Sequence, residues 1–234
     1  MSSALYASKS RLKDGLYAII DFDACERRGL DWWTTAQAAM KAKPRVLQLR
    51  AKDRPDRIVL DGLRRLRALI PSSSGTWLFA NDRPDLAALA LADGVHLGQD
   101  DLPVEVVRKV YPHLAVGLST HDARQLGEAL RLPLDYVALG PVFSTASKAH
   151  PEAEVGAREF VRLAALARRV SMPLVAIGGI TPANWDELAG SANLAAVISA
   201  LLPSAPLADP AAHIARASTQ WALRLGQTDQ PGSG

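Results

Sequence analysis

Residues 77–101, WLFANDRPDLAALALADGVHLGQDD, contain the pattern from which the fold of the chain is predicted. It contains two short apolar segments, residues 77–80 and 94–97, and each ends abruptly in polar residues. The alanine- and leucine-rich residues 84–91 between them predict a helix. A helix of this length returns the chain to a parallel neighbouring strand, so the carboxyl ends of both strands lie at one edge of the sheet.

This arrangement predicts that Asp82 and Asp101 face the same space. Two carboxylates with room for water suit Mg²⁺, especially when a phosphorylated substrate completes the coordination shell. The alternative is that Asp82 caps a helix and Asp101 opens a turn, which is the more frequent role for either residue alone. The metal hypothesis therefore requires anion-binding groups elsewhere on the same edge.

Apolar segments alternate with helical patterns through the rest of the chain, which is typical of a parallel sheet buried on both faces. Eight such segments predict an α/β fold, a single-domain (β/α)₈ TIM barrel. An open doubly wound sheet is the alternative, but no Gly-x-Gly-x-x-Gly follows the first segment. The predicted domain spans residues 16–226, with a flexible N-terminal arm at 1–15 and a flexible tail at 227–234. The predicted strands are residues 16–20, 46–50, 77–80, 94–97, 114–118, 135–140, 173–177 and 194–198.

The composition narrows the class of function. The chain has 234 residues, of which 48% are hydrophobic and 22% charged, and its net charge is only +3, too small to indicate nucleic-acid binding. The single cysteine, Cys25, excludes an intramolecular disulfide and fits a reducing cytoplasm. With no apolar run as long as a membrane span, we expect a cytoplasmic protein without nucleic-acid or membrane partners. Whether it forms a homo-oligomer stays open.

Polar residues at alternate positions follow the second predicted strand. Gln48, Arg50 and Lys52 point to one side, because strand residues alternate between two faces, and together they could bind one anion. Barrel interiors are usually filled with branched apolar residues, so Gln48 and Arg50 indicate function. The alternative is a polar layer inside the barrel, with Lys52 in solvent.

The segments after the last three strands suggest a second anion site. Gly178 and Gly179 could offer backbone N–H groups to a phosphate, as could Ile198 and Ser199 after the eighth strand. The loops after strands seven and eight are the usual phosphate site of barrel enzymes. The loop after strand six adds hydroxyl groups and a cation but is a weak signal alone; its residues are Ser144, Thr145, Ser147 and Lys148.

Two histidines need separate interpretation. His96 lies within the fourth strand, which is typical of a hydrogen-bonded core histidine, whereas His121 follows Ser119 near the predicted site and could be structural or functional. The sequence has no zinc-ligand spacing, and Ser119 and His121 lack an evident third acid. Nucleophilic hydrolysis is therefore disfavoured.

Six motifs together resemble the thiamine-phosphate synthase family, in order and with family-like spacing from Leu16 to Leu201. They are QLRAK at 48–52, NDR at 81–83, GVHLGQDD at 94–101, GLSTH at 117–121, GPVF at 140–143 and AIGGITP at 176–182. The resemblance implies a transferase that joins 4-amino-5-hydroxymethyl-2-methylpyrimidine diphosphate to thiazole phosphate. The products would be thiamine phosphate and pyrophosphate, formed by a dissociative reaction with Mg²⁺.

The resemblance also implies a role for each matching residue. Mg²⁺ would be bound by Asp82 and Asp101. The thiazole phosphate would be bound by Thr145, Ser147, Gly179, Ile198 and Ser199. The pyrimidine diphosphate would be bound by Gln48, Arg50, Lys52, Asn81, Ser119 and Lys148, of which Arg50, Lys52, Ser119 and Lys148 are the expected catalytic residues.

The chain departs from the family pattern in four places. Ala51 stands where the family usually has Glu, residues 144–148 read STASK where it usually has Pro-Thr-x-Thr-Lys, residues 149–154 depart further, and residues 23–33 match no motif. Two other functions compete: a metal-independent isomerase similar to thiazole tautomerase, and a non-catalytic barrel that binds a phosphorylated thiamine precursor. The first would use a histidine such as His121 but leaves the two aspartates unexplained. The second would be marked by lost cations or carboxylates, and none is lost.

Overall fold

The computed structural model describes residue 12 and residues 14–145, 152–188 and 190–226. Eight parallel strands form a closed barrel in which each strand pairs with the next and the first, β1 (Gly15–Asp21), pairs with the last, β8 (Leu194–Val197), so the TIM-barrel prediction is confirmed. Most of the predicted arm and all of the predicted tail lie outside the described residues. Gly15, which the prediction placed in the arm, is the first residue of β1.

All eight predicted strands are present, with small differences at their ends. Parallel pairing brings every carboxyl end to one rim of the barrel, called the rim below. The strands are β1 Gly15–Asp21, β2 Val46–Arg50, β3 Trp77–Asn81, β4 Gly94–Leu97, β5 Ala115–Thr120, β6 Tyr136–Leu139, β7 Leu174–Ile177 and β8 Leu194–Val197.

The helices form the outer ring of the barrel. The first helix, α1 Phe22–Glu26, overlaps the segment that matched no motif, and the Asp21 carboxylate caps it by accepting a hydrogen bond from the Ala24 N–H at 2.7 Å. Within the described residues, short 3₁₀ helices occupy Ser72–Ser74, Trp185–Leu188 and Ser199–Leu201. The α-helices are α1 Phe22–Glu26, α2 Trp32–Met40, α3 Asp56–Leu69, α4 Pro84–Leu89, α5 Val104–Val110, α6 Ala123–Ala129, α7 Ala157–Arg169 and α8 Pro210–Arg224. Among these described helices, none is both long and apolar enough to cross a membrane.

Three aromatic rings pack together inside the barrel. Tyr17, Phe79 and Tyr136 pack against one another with ring centroids 5.7–6.3 Å apart. Gly117 makes room for them, because a Cβ atom at that position would lie 2.0 Å from Cζ of Tyr136. The phenol groups bring hydroxyls into a space that apolar residues usually fill, and these hydroxyls need hydrogen-bond partners.

Candidate active site

The rim brings together predicted residues from strands that are distant in sequence. Ser147 and Lys148, which the resemblance assigned to the two substrates, lie outside the described residues. The predicted residues that the structure describes lie on or after seven strands: Gln48 and Arg50 on β2 with Lys52 after it, Asn81 on β3 with Asp82 after it, Asp101 after β4, Ser119 on β5, Thr145 after β6, Gly179 after β7, and Ile198 and Ser199 after β8.

Asp82 and Asp101 form a carboxylate pair. Burial, followed by a hydrogen bond and charge repulsion from Asp101, raises the pKa of Asp82 to about 6, although the charges of Lys52 and Arg50 oppose the shift. The Lys52 Nζ atom lies 3.8 Å from Oδ2 of Asp82. Two carboxylates in hydrogen-bonding contact favour either a shared proton or a cation between them.

The structure separates the alternatives for these aspartates. Arg83, not Asp82, is the N-cap residue of α4, so the helix-cap interpretation of Asp82 is wrong. Asp101 does stabilise a turn, because its Oδ2 accepts a hydrogen bond from the Gly98 N–H at 2.6 Å. The turn therefore holds Asp101 toward Asp82 rather than competing with that contact.

The donor set of the carboxylate pair fits Mg²⁺. Among the described residues, no group of three or more His, Cys, Asp or Glu side chains could hold a metal ion. A site made of protein ligands alone is therefore not formed by this part of the chain. Mg²⁺ is commonly bound by one or two carboxylates, with water and substrate phosphates as its other ligands.

The two cations after β2 have different environments. Arg50 forms an ion pair with Asp21, which is 1% exposed and lies beside it in the β1–β2 register. The side chain of Lys52 is 51% exposed and reaches toward the carboxylate pair. Sequence reasoning missed Asp21, although a carboxylate that ends an apolar strand was a usable signal.

A buried chain of hydrogen bonds runs across the barrel below the rim; we call Gln48, Tyr17, Tyr136, His96 and Ser119 the polar relay. Gln48 Nε2 donates to the Tyr17 hydroxyl at 2.8 Å, and the Tyr17 and Tyr136 hydroxyls are also 2.8 Å apart. His96 Nδ1 lies 2.8 Å from the Tyr136 hydroxyl, and His96 Nε2 lies 2.8 Å from Ser119 Oγ. The prediction that His96 is a hydrogen-bonded core histidine is confirmed.

The relay also refines the prediction for β2. Gln48 is buried and bonded to Tyr17, as the polar-layer alternative describes, so its binding of an anion together with Arg50 and Lys52 stays a prediction. Tyr17 and Tyr136 were missed in the sequence, where the signal was a tyrosine within each of two apolar strands.

His121 is tied to the loop after β6. Its backbone N–H donates to Gln125 Oε1 at 2.8 Å, and its Nδ1 contacts the Gly140 carbonyl oxygen. Ser119, by contrast, contacts His96. These contacts tie His121 to the start of α6 and to the loop after β6.

The loops after β6 and β7 pack together on the opposite part of the rim. Phe143 N–H donates to the Gly178 carbonyl at 3.1 Å, and Val142 N–H donates to the Ile177 carbonyl at 2.9 Å. Gly179 has a φ of +65°, and a Cβ atom there would lie 2.5 Å from the Ser144 carbonyl oxygen. Glycine is therefore required at position 179 both by conformation and by close approach. The described residues predicted to bind the thiazole phosphate are all uncharged, which contrasts with the cations beside the carboxylate pair; they are Thr145, Gly179, Ile198 and Ser199.

Comparisons with known proteins agree with this geometry. The family model described as thiamine monophosphate synthase matches residues 16–201. The chain is 42% identical to a thiamine-phosphate synthase of Anaeromyxobacter dehalogenans (strain 2CP-C), over 86% of this chain and 85% of that protein. It is 40% identical to a thiamine-phosphate synthase of Laribacter hongkongensis (strain HLHK9), over 87% and 93%. The solved structure of a thiamine phosphate pyrophosphorylase from Pyrococcus furiosus superposes with a TM-score of 0.71 at 28% identity, over 91% of this chain and 98% of that one.

Proposed function

Because the chain belongs to the thiamine monophosphate synthase family, we propose that its rim joins a pyrimidine diphosphate to a thiazole phosphate with Mg²⁺ at the carboxylate pair. The activity is that of a thiamine-phosphate synthase, a transferase of thiamine biosynthesis. The observation that carries the metal proposal is the contact between Asp82 and Asp101 beside two cations. A cytoplasmic location belongs to the same proposal and is supported by the single, buried Cys25.

In the proposed reaction, the bond between the pyrimidine methylene carbon and the diphosphate oxygen breaks first. The electron pair leaves with pyrophosphate, and the electron-rich aminopyrimidine stabilises the methylene cation. The thiazole nitrogen then donates its lone pair to form the new C–N bond. No general base is needed, so the reaction depends on groups that are already oriented toward the developing charge.

The residues beside the carboxylate pair would stabilise the departing diphosphate. Bound Mg²⁺ would supply positive charge for the diphosphate oxygens. The Asp21 carboxylate fixes the Arg50 guanidinium from the buried side, and the other N–H groups of Arg50 could bind phosphate. Lys52 adds a second positive charge next to Asp82. Ser119 and Lys148 complete the expected catalytic set, the latter from outside the described residues.

The neutral part of the rim would hold the thiazole phosphate. Backbone N–H groups and hydroxyls bind a phosphate without a cation when they converge on it. This arrangement would keep the thiazole phosphate apart from the cations that the leaving diphosphate requires. The residues proposed for this site are Thr145, Ser147, Gly179, Ile198 and Ser199.

The competing functions account for less of the geometry. A metal-independent isomerase would use a histidine such as His121, but it would leave the carboxylate pair without a role. A non-catalytic binding barrel would not need two carboxylates in contact, an arrangement that raises the pKa of Asp82. The synthase reaction uses both features.

The test is to supply both substrates and measure thiamine phosphate, with Mg²⁺ and after its removal with EDTA. We expect product only with Mg²⁺, and full recovery when the metal is restored. Full activity in EDTA would contradict the metal assignment while leaving the synthase activity intact. Isomerisation of a thiazole carboxylate phosphate without coupling would instead support the isomerase.

A further inference from the structure

We propose that Tyr17, Tyr136 and His96 are positioning residues that make the Ser119 hydroxyl a hydrogen-bond donor to the pyrimidine diphosphate. The inference rests on the proposed function only for the identity of this ligand. The polarity of the relay follows from the described contacts alone. It can be derived by counting the protons that each member has available.

The Gln48 end of the relay sets the direction. The Nε2 atom of Gln48 can only donate, so the Tyr17 oxygen accepts from it. The single proton of Tyr17 is then available for the Tyr136 oxygen, 2.8 Å away. Both phenols are buried, and burial raises the pKa of each well above its ordinary value, so each remains a neutral hydroxyl with one proton.

The direction continues to the histidine. Because the Tyr136 oxygen accepts from Tyr17, the Tyr136 proton goes to His96 Nδ1, which must accept. The remaining ring proton of a neutral imidazole then lies on Nε2, which faces Ser119 Oγ at 2.8 Å. Ser119 accepts this bond, and its own proton is available to the half-buried rim above it.

The opposite tautomer of His96 would leave one proton of the relay without an acceptor. With a proton on Nδ1, His96 donates to the Tyr136 oxygen, and one of the two tyrosine protons has no acceptor within the relay. Buried hydroxyl protons without acceptors are disfavoured. Ser119 would also donate to Nε2, which would leave its oxygen, and not its proton, facing the substrate.

Packing holds the relay in one arrangement. The His96 and Tyr136 rings are nearly parallel, with an interplanar angle of 15° and centroids 5.6 Å apart. Phe79 packs edge-on against Tyr136, and the missing side chain of Gly117 accommodates the phenol. Neither ring can turn away without displacing the others, so the tautomer of His96 and the orientation of Ser119 are coupled.

The first test is ¹⁵N NMR of the substrate-free parent protein, because each imidazole nitrogen has a different chemical shift according to whether it carries a proton. We expect His96 to carry its proton on Nε2, and we expect Tyr136→Phe to shift the Nδ1 resonance, because Nδ1 loses the hydrogen bond that the Tyr136 hydroxyl donates to it. A parent protein with the proton on Nδ1 would overturn the proposal. This measurement needs no activity, so it distinguishes failure of the proposal from failure of the synthase function.

The second test is a double-mutant cycle on the KM for the pyrimidine diphosphate. Tyr136→Phe should raise this KM about tenfold, and adding it to Ser119→Ala should cause no further rise, because the tyrosine acts through Ser119. Tyr111→Phe, the same change at the end of α5, is the matched control and should leave the KM unchanged. Additive effects of Tyr136→Phe and Ser119→Ala would contradict the positioning role. Thermal unfolding of each variant separates loss of folding from loss of binding.

Discussion

At the level of single residues, the backbone conformation of Asp82 places its carboxylate in the site. Its φ is +64°, a left-handed conformation that is uncommon outside glycine but is tolerated best by Asp and Asn. The Asp82 N–H donates to the His96 carbonyl at 2.8 Å, and this bond attaches Asp82 to β4. Asp101 lies on the segment that follows β4. A left-handed backbone costs free energy, and such costs are found at functional residues whose surroundings fix the conformation.

The metal assignment predicts that Asp82→Asn and Asp101→Asn each lower coupling activity by about a hundredfold or more. A bound metal stabilises transition-state charge by several kcal/mol, and each 1.4 kcal/mol is about tenfold in rate. Asparagine suits position 82 because it keeps the left-handed backbone accessible. Steady-state kinetics across a range of Mg²⁺ concentrations is the measurement. Asp100→Asn, an exposed neighbour, is the control and should remain active; equal losses in all three variants would argue against a specific pair.

The raised pKa of Asp82 predicts how stability changes with pH in the metal-free protein. Since the folded-state pKa is about 6, above the ordinary value near 4, protonation stabilises the fold below about pH 4, and this stabilisation is lost as the pH rises through 6. Two pKa units correspond to roughly 2–3 kcal/mol. Asp82→Asn should therefore raise the free energy of unfolding at pH 7 in EDTA, and its advantage should shrink toward pH 4.

Urea unfolding of the parent and Asp82→Asn at both pH values measures this difference. Subtracting one protein from the other cancels the titration of carboxylates that they share. A constant difference between pH 4 and pH 7 would mean that Asp82 does not titrate as the carboxylate pair requires.

At the scale of the element, the contact between the loops after β6 and β7 depends on glycine. Gly179→Ala should lower the free energy of unfolding by more than the 1–2 kcal/mol typical of a left-handed alanine, because its Cβ would meet the backbone of Phe143 and Ser144. It should also raise the KM for the thiazole phosphate. Gly190→Ala is the matched control, with a φ of +75° and no atom within 4 Å of an added Cβ.

Thermal unfolding and kinetics with each substrate varied in turn test this prediction. Gly190→Ala should cost only the conformational term and leave both KM values unchanged. If the two variants lose equal stability and Gly179→Ala binds thiazole phosphate normally, the loop contact does not shape the phosphate site.

At the scale of the whole molecule, the barrel separates two kinds of anion site. Lys52→Ala should raise the KM for the pyrimidine diphosphate about tenfold to a hundredfold, because a hydrogen bond to a charged group contributes about 1.5–3 kcal/mol. Ser199→Ala should affect the thiazole phosphate instead. Lys52 is a sharper probe than Arg50, whose removal would leave the buried Asp21 without its ion pair.

Calorimetric titration of each substrate into each variant measures the separation. Lys109→Ala, in the last turn of α5, removes an exposed cation on the outer ring and should change neither affinity. Equal losses for both substrates in Lys52→Ala would show that the two anions share one site.

The barrel could be predicted from the sequence because each strand is a mainly apolar segment and most of the return helices have their own pattern, so both signals are local. Polar residues directly follow the apolar strands in the sequence, so the strand ends could be recognised as the rim. For the same reason Asp82 and Asp101 were expected to meet. Their predicted pairing needed only the rule that parallel neighbours end at the same edge. The α1 helix was missed because it is a single short segment, begun by an Asp21 cap that also looks like the end of a strand.

The contacts between polar residues, by contrast, could not be predicted from the sequence. Asp21 and Arg50 are far apart in the chain and meet because the register places them side by side on β1 and β2. Tyr136 and His96 are also far apart in the chain and meet in the interior of the closed barrel. No local pattern records that register, since any apolar strand would fit the same position about equally well. The interior of the barrel is also shared by all eight strands, so a hydroxyl from one strand finds its partner on another. The polar relay therefore exists only once the barrel has closed.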